Sequence, residues 1–313
     1  MRSVCQVGKH KVILWIMAFL IVAAVLGCGC FLIYGNQQEK DSKMDYEARQ
    51  KEVKRVQEAL RQDWDGSPTA LQQYVKNKPE DLRRDIYALF WRTGTSTEGA
   101  AKRAPIVEFM LKQIWEETSL LRGQLLKWLQ DFRKEDFNEG AIQVLLSLPW
   151  TPEFSPEAIR LIGIAEVNAA VPRLQAEIRN EPARVHLPTG YYAGNVWSAL
   201  LALARMGDGK SLERIIRQVQ NETDLVVRAT ILLWDLAYTR QPVAFDVLKR
   251  YLNSDKRLPA VKPTVPGQLE ACYAAVAFAK YVKGFPIQET DFSEQQVVQA
   301  REWVNVQTEW HFK

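Results

Sequence analysis

The sequence predicts an all-α protein, with repeated helix pairs stacked behind one membrane-spanning helix. Three observations predict it. Residues 12–34 form an apolar run of twenty-three residues without a charge. From about residue 68 onward, helical runs alternate with short Pro, Gly, Asn and Asp breaks, and the period-2 alternation of a strand is missing. In the middle of the chain those runs recur in pairs, at offsets of 33 and 41 residues.

A membrane helix needs about 20 consecutive apolar residues. The run from Val12 to Tyr34 meets that length, so an uncleaved signal anchor is the expectation. Two alternatives stand beside it. Val25-Leu26-Gly27-Cys28 resembles a lipobox, although Leu26 is an unusual occupant and Phe31, Leu32, Ile33 and Tyr34 prolong the apolar stretch. Plain cleavage as a signal peptide is the other, but such segments carry an apolar core of about 7–15 residues. Arg2, Lys9 and Lys11 precede the run with no acid among them, and Lys40, Lys43 and Arg49 follow it mixed with acids. The Lys and Arg count is near parity, so the unbalanced N-terminal charge decides the orientation. The expected topology is a cytoplasmic tail at 1–11 and a soluble domain outside the cytoplasm, on the periplasmic side if the protein is bacterial.

Of the 41 Lys and Arg residues, three precede the run, leaving 38 against 37 acids in the rest of the chain. A nearly neutral domain gives no electrostatic case for nucleic acid. Of the four cysteines, Cys5 precedes the run and Cys28 and Cys30 lie inside it. Only Cys272 remains for the domain, so no disulfide within it is possible.

An amphipathic helix is expected over about 45–64. Val53, Val56, Leu60 and Trp64 fall on one face and charged residues on the other. It reads as a cap on the repeat domain, with Asp63-Trp64-Asp65-Gly66 as helix stop and turn. The expected division is a linker and cap over 35–67, the repeat domain over 68–284, and a C-terminal capping segment over 285–313.

The repeat is clearest around residue 200. Ala199, Leu200, Leu203 and Ala204 are followed by Leu212 and Ile215. Thirty-three residues on come Leu232, Leu233, Leu236 and Ala237, then Phe245 and Leu248. Forty-one residues back lie Ala158, Ile159, Ile162 and Gly163, then Val171 and Leu174. Weaker copies begin at Ile86, Leu125 and Leu269. Turn signals close the first helix of a pair at Val167-Asn168, Met206-Gly207-Asp208-Gly209 and Thr239-Arg240-Gln241-Pro242. One such pair cannot bury its apolar stripe alone, so neighbours must stack and share a core. Leu200, Leu203, Leu233 and Leu236 are the expected core. Trp91, Trp128, Trp197 and Trp234 are expected to fill space between helices, and Cys272, on an alanine-rich run, to be a packed thiol.

Asn195–Gln220, with Ala-Leu-Leu-Ala-Leu-Ala-Arg-Met-Gly-Asp and then Leu-Glu-Arg-Ile-Ile, resembles HEAT-type repeats of the short, phycobilisome-lyase-like kind. Asp224–Leu252, with Val-Arg-Ala-Thr-Ile-Leu-Leu-Trp-Asp-Leu-Ala, continues the resemblance. It covers about residues 155–252. It implies a right-handed α-solenoid and an interaction scaffold, and it implies no chemistry, because fold is not function.

The residues themselves assemble no catalytic constellation. His10, His186 and His311 are far apart and lack carboxylates or cysteines at metal spacing. No cofactor, metal or catalytic residue is expected. The connections between repeats are another matter. The link over 180–192 holds Arg184, His186, Tyr191 and Tyr192. The link over 253–267 holds Lys256, Arg257 and Lys262, and the link over 148–156 holds Trp150 and Phe154. Enlarged links on one edge of a repeat array often mark its binding face. These nine residues form the expected partner-binding edge, and another protein is the expected partner. The expected function is therefore a membrane-tethered, non-enzymatic scaffold. A hydrolase or lyase with its site on a concave face, and a purely structural envelope subunit, are the alternatives.

Overall fold

The computed structural model describes residues 46–62, 64, 66–151, 155–179, 194–260, 266–290 and 293–313. The apolar run at 12–34 and the link over 180–193 lie outside them. Among the described residues the regular elements are helical, and no helix is long and apolar enough to cross a membrane. Two isolated β-bridges, Arg257–Leu269 and Val282–Phe312, tie chain segments together.

The chain divides into two compact units. Among the described residues, one comprises 46–62 and 64 with Asn77–Ile86, and the other 66–76 with those from Tyr87 onward. In the first, helix α1 (46–62) buries Val56 and Leu60, as its 3–4 spacing requires. Its polar face is ion-paired. Arg49 meets Asp81 at 2.6 Å and Asp85 at 2.8 Å, and Glu52 accepts from Arg55 at 2.8 Å and Lys78 at 2.9 Å.

The second unit holds most of the helices. It contains α2 (Pro68–Val75), α4 (Arg103–Gln113), α5 (Ser119–Leu129), α6 (Glu139–Ser147), α7 (Ser155–Ile164), α8 (Val171–Arg179), α9 (Asn195–Arg205) and α10 (Gly209–Asn221). Helix α3 (Glu80–Thr95) runs from the first unit into it. Next, α11 (Leu225–Val227) passes through a π-turn (Arg228–Leu232) into α12 (Leu233–Tyr238). The unit ends with α13 (Pro242–Leu252), α14 (Glu270–Tyr281) and α15 (Glu294–Asn305).

Local chemistry sets the breaks. Asp208 caps α10 by accepting from the Ser211 amide at 2.8 Å, and Asp224 caps α11 through the amides of Val226 and Val227 at 2.8 and 3.2 Å. Pro242 opens α13, where its missing N–H costs nothing. The preceding helices end in left-handed residues: Glu166 (φ 50°), Gly207 (φ 96°) and Arg240 (φ 50°). Their spacings, 41 and 33 residues, are the offsets of the hydrophobic pattern. At the first two turns the following amide reaches back five residues, Val167 to Ile162 at 3.1 Å and Asp208 to Leu203 at 2.9 Å. That bond is the signature of a Schellman end.

Helices then pack pair on pair. Helix α7 packs on α9, α9 on α8, α10 and α12, and α12 on α13 and α14. Leu200, Leu203, Leu233 and Leu236 are all buried between them. Helix α14 is buried on nearly every side, which its run of small residues allows: Ala271, Ala274, Ala275, Ala277 and Ala279 let neighbours approach closely. Cys272 is buried in the same helix. The segment after α14 closes this end of the unit. Phe245 and Phe278 pack with Trp310, Phe312 and Phe285, and the Lys313 amide donates to the Tyr281 carbonyl at 2.9 Å.

Candidate functional site

Of the nine residues expected to form a binding edge, Phe154, Arg184, His186, Tyr191, Tyr192 and Lys262 lie outside the described residues. The other three are placed. Trp150 is half-buried, with the Arg173 guanidinium 3.9 Å over its ring. Arg173 also donates to the carbonyls of Leu148 (3.2 Å) and Leu146 (3.4 Å), so the indole and the arginine together fasten α8 to the end of α6. Lys256 is exposed, and its carbonyl accepts from the Glu270 amide at 2.9 Å. Arg257 is exposed but occupied. It grips Glu294 with both terminal nitrogens, at 2.6 and 2.9 Å, and donates to the Gly267 carbonyl at 3.0 Å. Arg257 therefore staples its link to the start of α15. No hydrogen bond, ion pair or ring contact joins Trp150 to Lys256 or Arg257 among the described residues.

The densest polar chemistry lies elsewhere, along α7, α9, α12 and the turn after α12. Arg160 on α7 donates to Asp235 on α12 at 2.6 Å. The second oxygen of that carboxylate accepts the indole N–H of Trp197 on α9, also at 2.6 Å. Asp235 is buried, so these partners are what make its burial tolerable. One turn further, the Tyr238 hydroxyl donates to the Arg160 carbonyl. The Arg205 guanidinium lies 4.9 Å from the Tyr238 ring centre and donates to its carbonyl at 2.6 Å. Arg240 then stands 5.6 Å over the Tyr281 ring, and Lys280 flanks the same ring at 5.8 Å. Lys280 reaches Asp131 at 3.2 Å, and Asp131 also accepts from Trp91, whose ring stacks on Trp128.

The electrostatics of this cluster are uneven. Burial pushes the Tyr238 phenol well above its ordinary value. Burial pulls Arg160 down, but the Asp235 carboxylate, with smaller help from Tyr238 and Tyr281, offsets it, and the net shift is upward. Arg240 is compensated less: burial first, and the neighbouring Arg205 second, pull it down to about 10. Its Nε is buried without a hydrogen-bond partner.

Apart from the tryptophans, which read as space-fillers, none of these residues stands out in the sequence. An arginine or aspartate at helical spacing reads as a solvated face. One signal is available: Arg205 and Tyr238 are 33 residues apart, the offset of the hydrophobic pattern, so they occupy equivalent positions in adjacent helix pairs and can meet if the face they share is turned toward the neighbouring pair. Among the described residues no three His, Cys, Asp or Glu side chains gather at metal-binding distance. Comparison with known proteins returned no match to any family model, curated protein or solved structure.

Proposed function

We propose that this protein is a membrane-tethered scaffold, a HEAT-type α-solenoid held at the bilayer by residues 12–34, whose work is to bind another protein outside the cytoplasm. The observation that carries the reading is the recurrence of one unit. The left-handed helix ends Glu166, Gly207 and Arg240 fall at the same offsets as the buried apolar positions Ile159, Leu200 and Leu233 and Ile162, Leu203 and Leu236, and the first helices of successive pairs pack on one another. A quasi-repeating array offers an extended surface rather than a single cleft, which suits capture of a macromolecule. Its binding edge comprises the links that hold Trp150, Phe154, Arg184, His186, Tyr191, Tyr192, Lys256, Arg257 and Lys262.

The test is site-specific photo-crosslinking in membranes that carry the full chain. A crosslinker at Tyr191 and one at Lys256 should yield the same discrete adduct, while one at Arg217, exposed on α10, should yield none. Equal labelling from all three positions, or no adduct from any, counts against the edge. The tether is tested separately. The chain should resist carbonate extraction, and Leu20→Arg with Ile21→Arg, at about 2.5–3.5 kcal/mol each near a membrane helix centre, should release it. A mature, lipid-bearing N-terminus at Cys28 would replace the anchor by a lipoprotein.

A further inference from the structure

Three turns occupy equivalent places in successive helix pairs, and each puts one residue in the left-handed region. At the first, Glu166 carries a side chain that pairs with Lys134 at 2.5 Å. At the second, Gly207 carries none, which is the ordinary solution at such a position. At the third, Arg240 accepts the backbone strain of a non-glycine residue and then buries its Nε without a partner. Strain and an unmet donor at one residue point to a role for its side chain rather than to packing alone.

The neighbours of that guanidinium sharpen the point. Arg205 is the strongest charge acting on it and is a cation; Arg133 is another, and Tyr281 and Glu135 offset them only in part. Asp235, the buried carboxylate nearby, is already shared by Arg160 and Trp197. Tyr281 offers its ring face, which steadies a cation but cannot accept a strong hydrogen bond. A desolvated cation beside a second cation is stabilised most by an anion.

We infer that Arg240, with Arg205 beside it, binds a small oxyanion, a phosphate or carboxylate group borne by a ligand. A planar fork of donors fits either group in bidentate fashion. The cluster shares no residue with the links proposed as a protein-binding edge, so the two readings are tested by different substitutions.

The test is calorimetric titration of the full-length chain in detergent, at fixed ionic strength, with inorganic phosphate in one arm and acetate in the other. At least one anion should bind saturably to the unaltered chain, and whichever binds more tightly identifies the source of the group. Arg240→Gly keeps a residue suited to the left-handed turn and removes the guanidinium. It should weaken binding about tenfold or more, the scale of a lost charge-assisted pair. Arg240→Asn, which also tolerates this backbone, should do the same, so the result does not hang on one variant. Arg217→Gln, on the exposed face of α10, should bind as before. No saturable binding of either anion, or undiminished binding by both Arg240 variants, overturns the inference.

Discussion

The guanidinium of Arg160 and the carboxylate of Asp235, 75 residues apart in the chain, meet at 2.6 Å and fasten α7 to α12. Trp197 of α9 adds its indole N–H to the same carboxylate, so one buried aspartate joins three helices from three successive pairs. Removing one partner of a buried pair strands the others, which typically costs about 3–5 kcal/mol. Asp235→Ala should lose stability on that scale in urea unfolding, and Asp235→Asn should lose less, because its amide oxygen can still accept from Trp197. A loss under about 1 kcal/mol for the alanine variant would mean that the network contributes little.

Gly163 is where α7 comes closest to its neighbours. A Cβ there would stand 2.6 Å from the Tyr238 hydroxyl and 2.7 Å from the Ala202 Cα. The second contact is backbone, which cannot swing aside. Gly163→Ala should therefore cost about 1–3 kcal/mol through overpacking, despite alanine's better helix propensity. Thermal unfolding of the variant measures it, and an unchanged or raised midpoint would refute the close approach.

Leu233 and Leu236 are fully buried where the second and third helix pairs share their core. Truncating Leu233 to Ala should cost about 2–5 kcal/mol, the transfer term plus the cavity left behind. The same change at Leu120, which is 75% exposed, should be nearly silent. Equal effects at the two sites would mean that the helices do not pack as described.

The helices and the core were legible because both follow from periodicity. Leu200, Leu203, Leu233 and Leu236 mark the repeat in sequence, and the same four are buried. The turn at Gly207 was legible because glycine announces a left-handed residue. The turn after α7 was legible from Val167-Asn168, but the left-handed residue in it was not, since a glutamate, Glu166, takes that position. The Arg160–Asp235–Trp197 network was hidden for a different reason. A polar residue on a helix looks alike whether it faces water or a partner, and only tertiary packing decides which. The approach of Lys280 to Asp131, 149 residues apart, has no sequence signature at all. Trp150 and Arg257 read as free recognition groups, and each is already engaged, by Arg173 and by Glu294.

In the first unit, acid should act through Glu52. Its hydrogen bonds from Arg55 and Lys78 hold its carboxyl down from 4.5 to about 2. A carboxylate with a depressed folded-state pKa stabilises the fold above its unfolded value and stops doing so as pH falls through the folded one. The contribution should be complete above about pH 5, shrink below 4.5 and be gone near 2. Asp81, lowered chiefly by Arg49, and Glu108, lowered chiefly by Lys112, change in the same direction, and Asp136, raised by burial, changes in the opposite one. The share due to Glu52 is isolated by comparison with Glu52→Gln, which cannot ionise. The stability gap between the two proteins should be widest at neutral pH and close steadily between pH 4.5 and 2. High salt should narrow the gap at neutral pH, since Arg55 is largely exposed and its pairing is screened. A gap that stays constant with pH would show that Glu52 contributes by packing and not by charge.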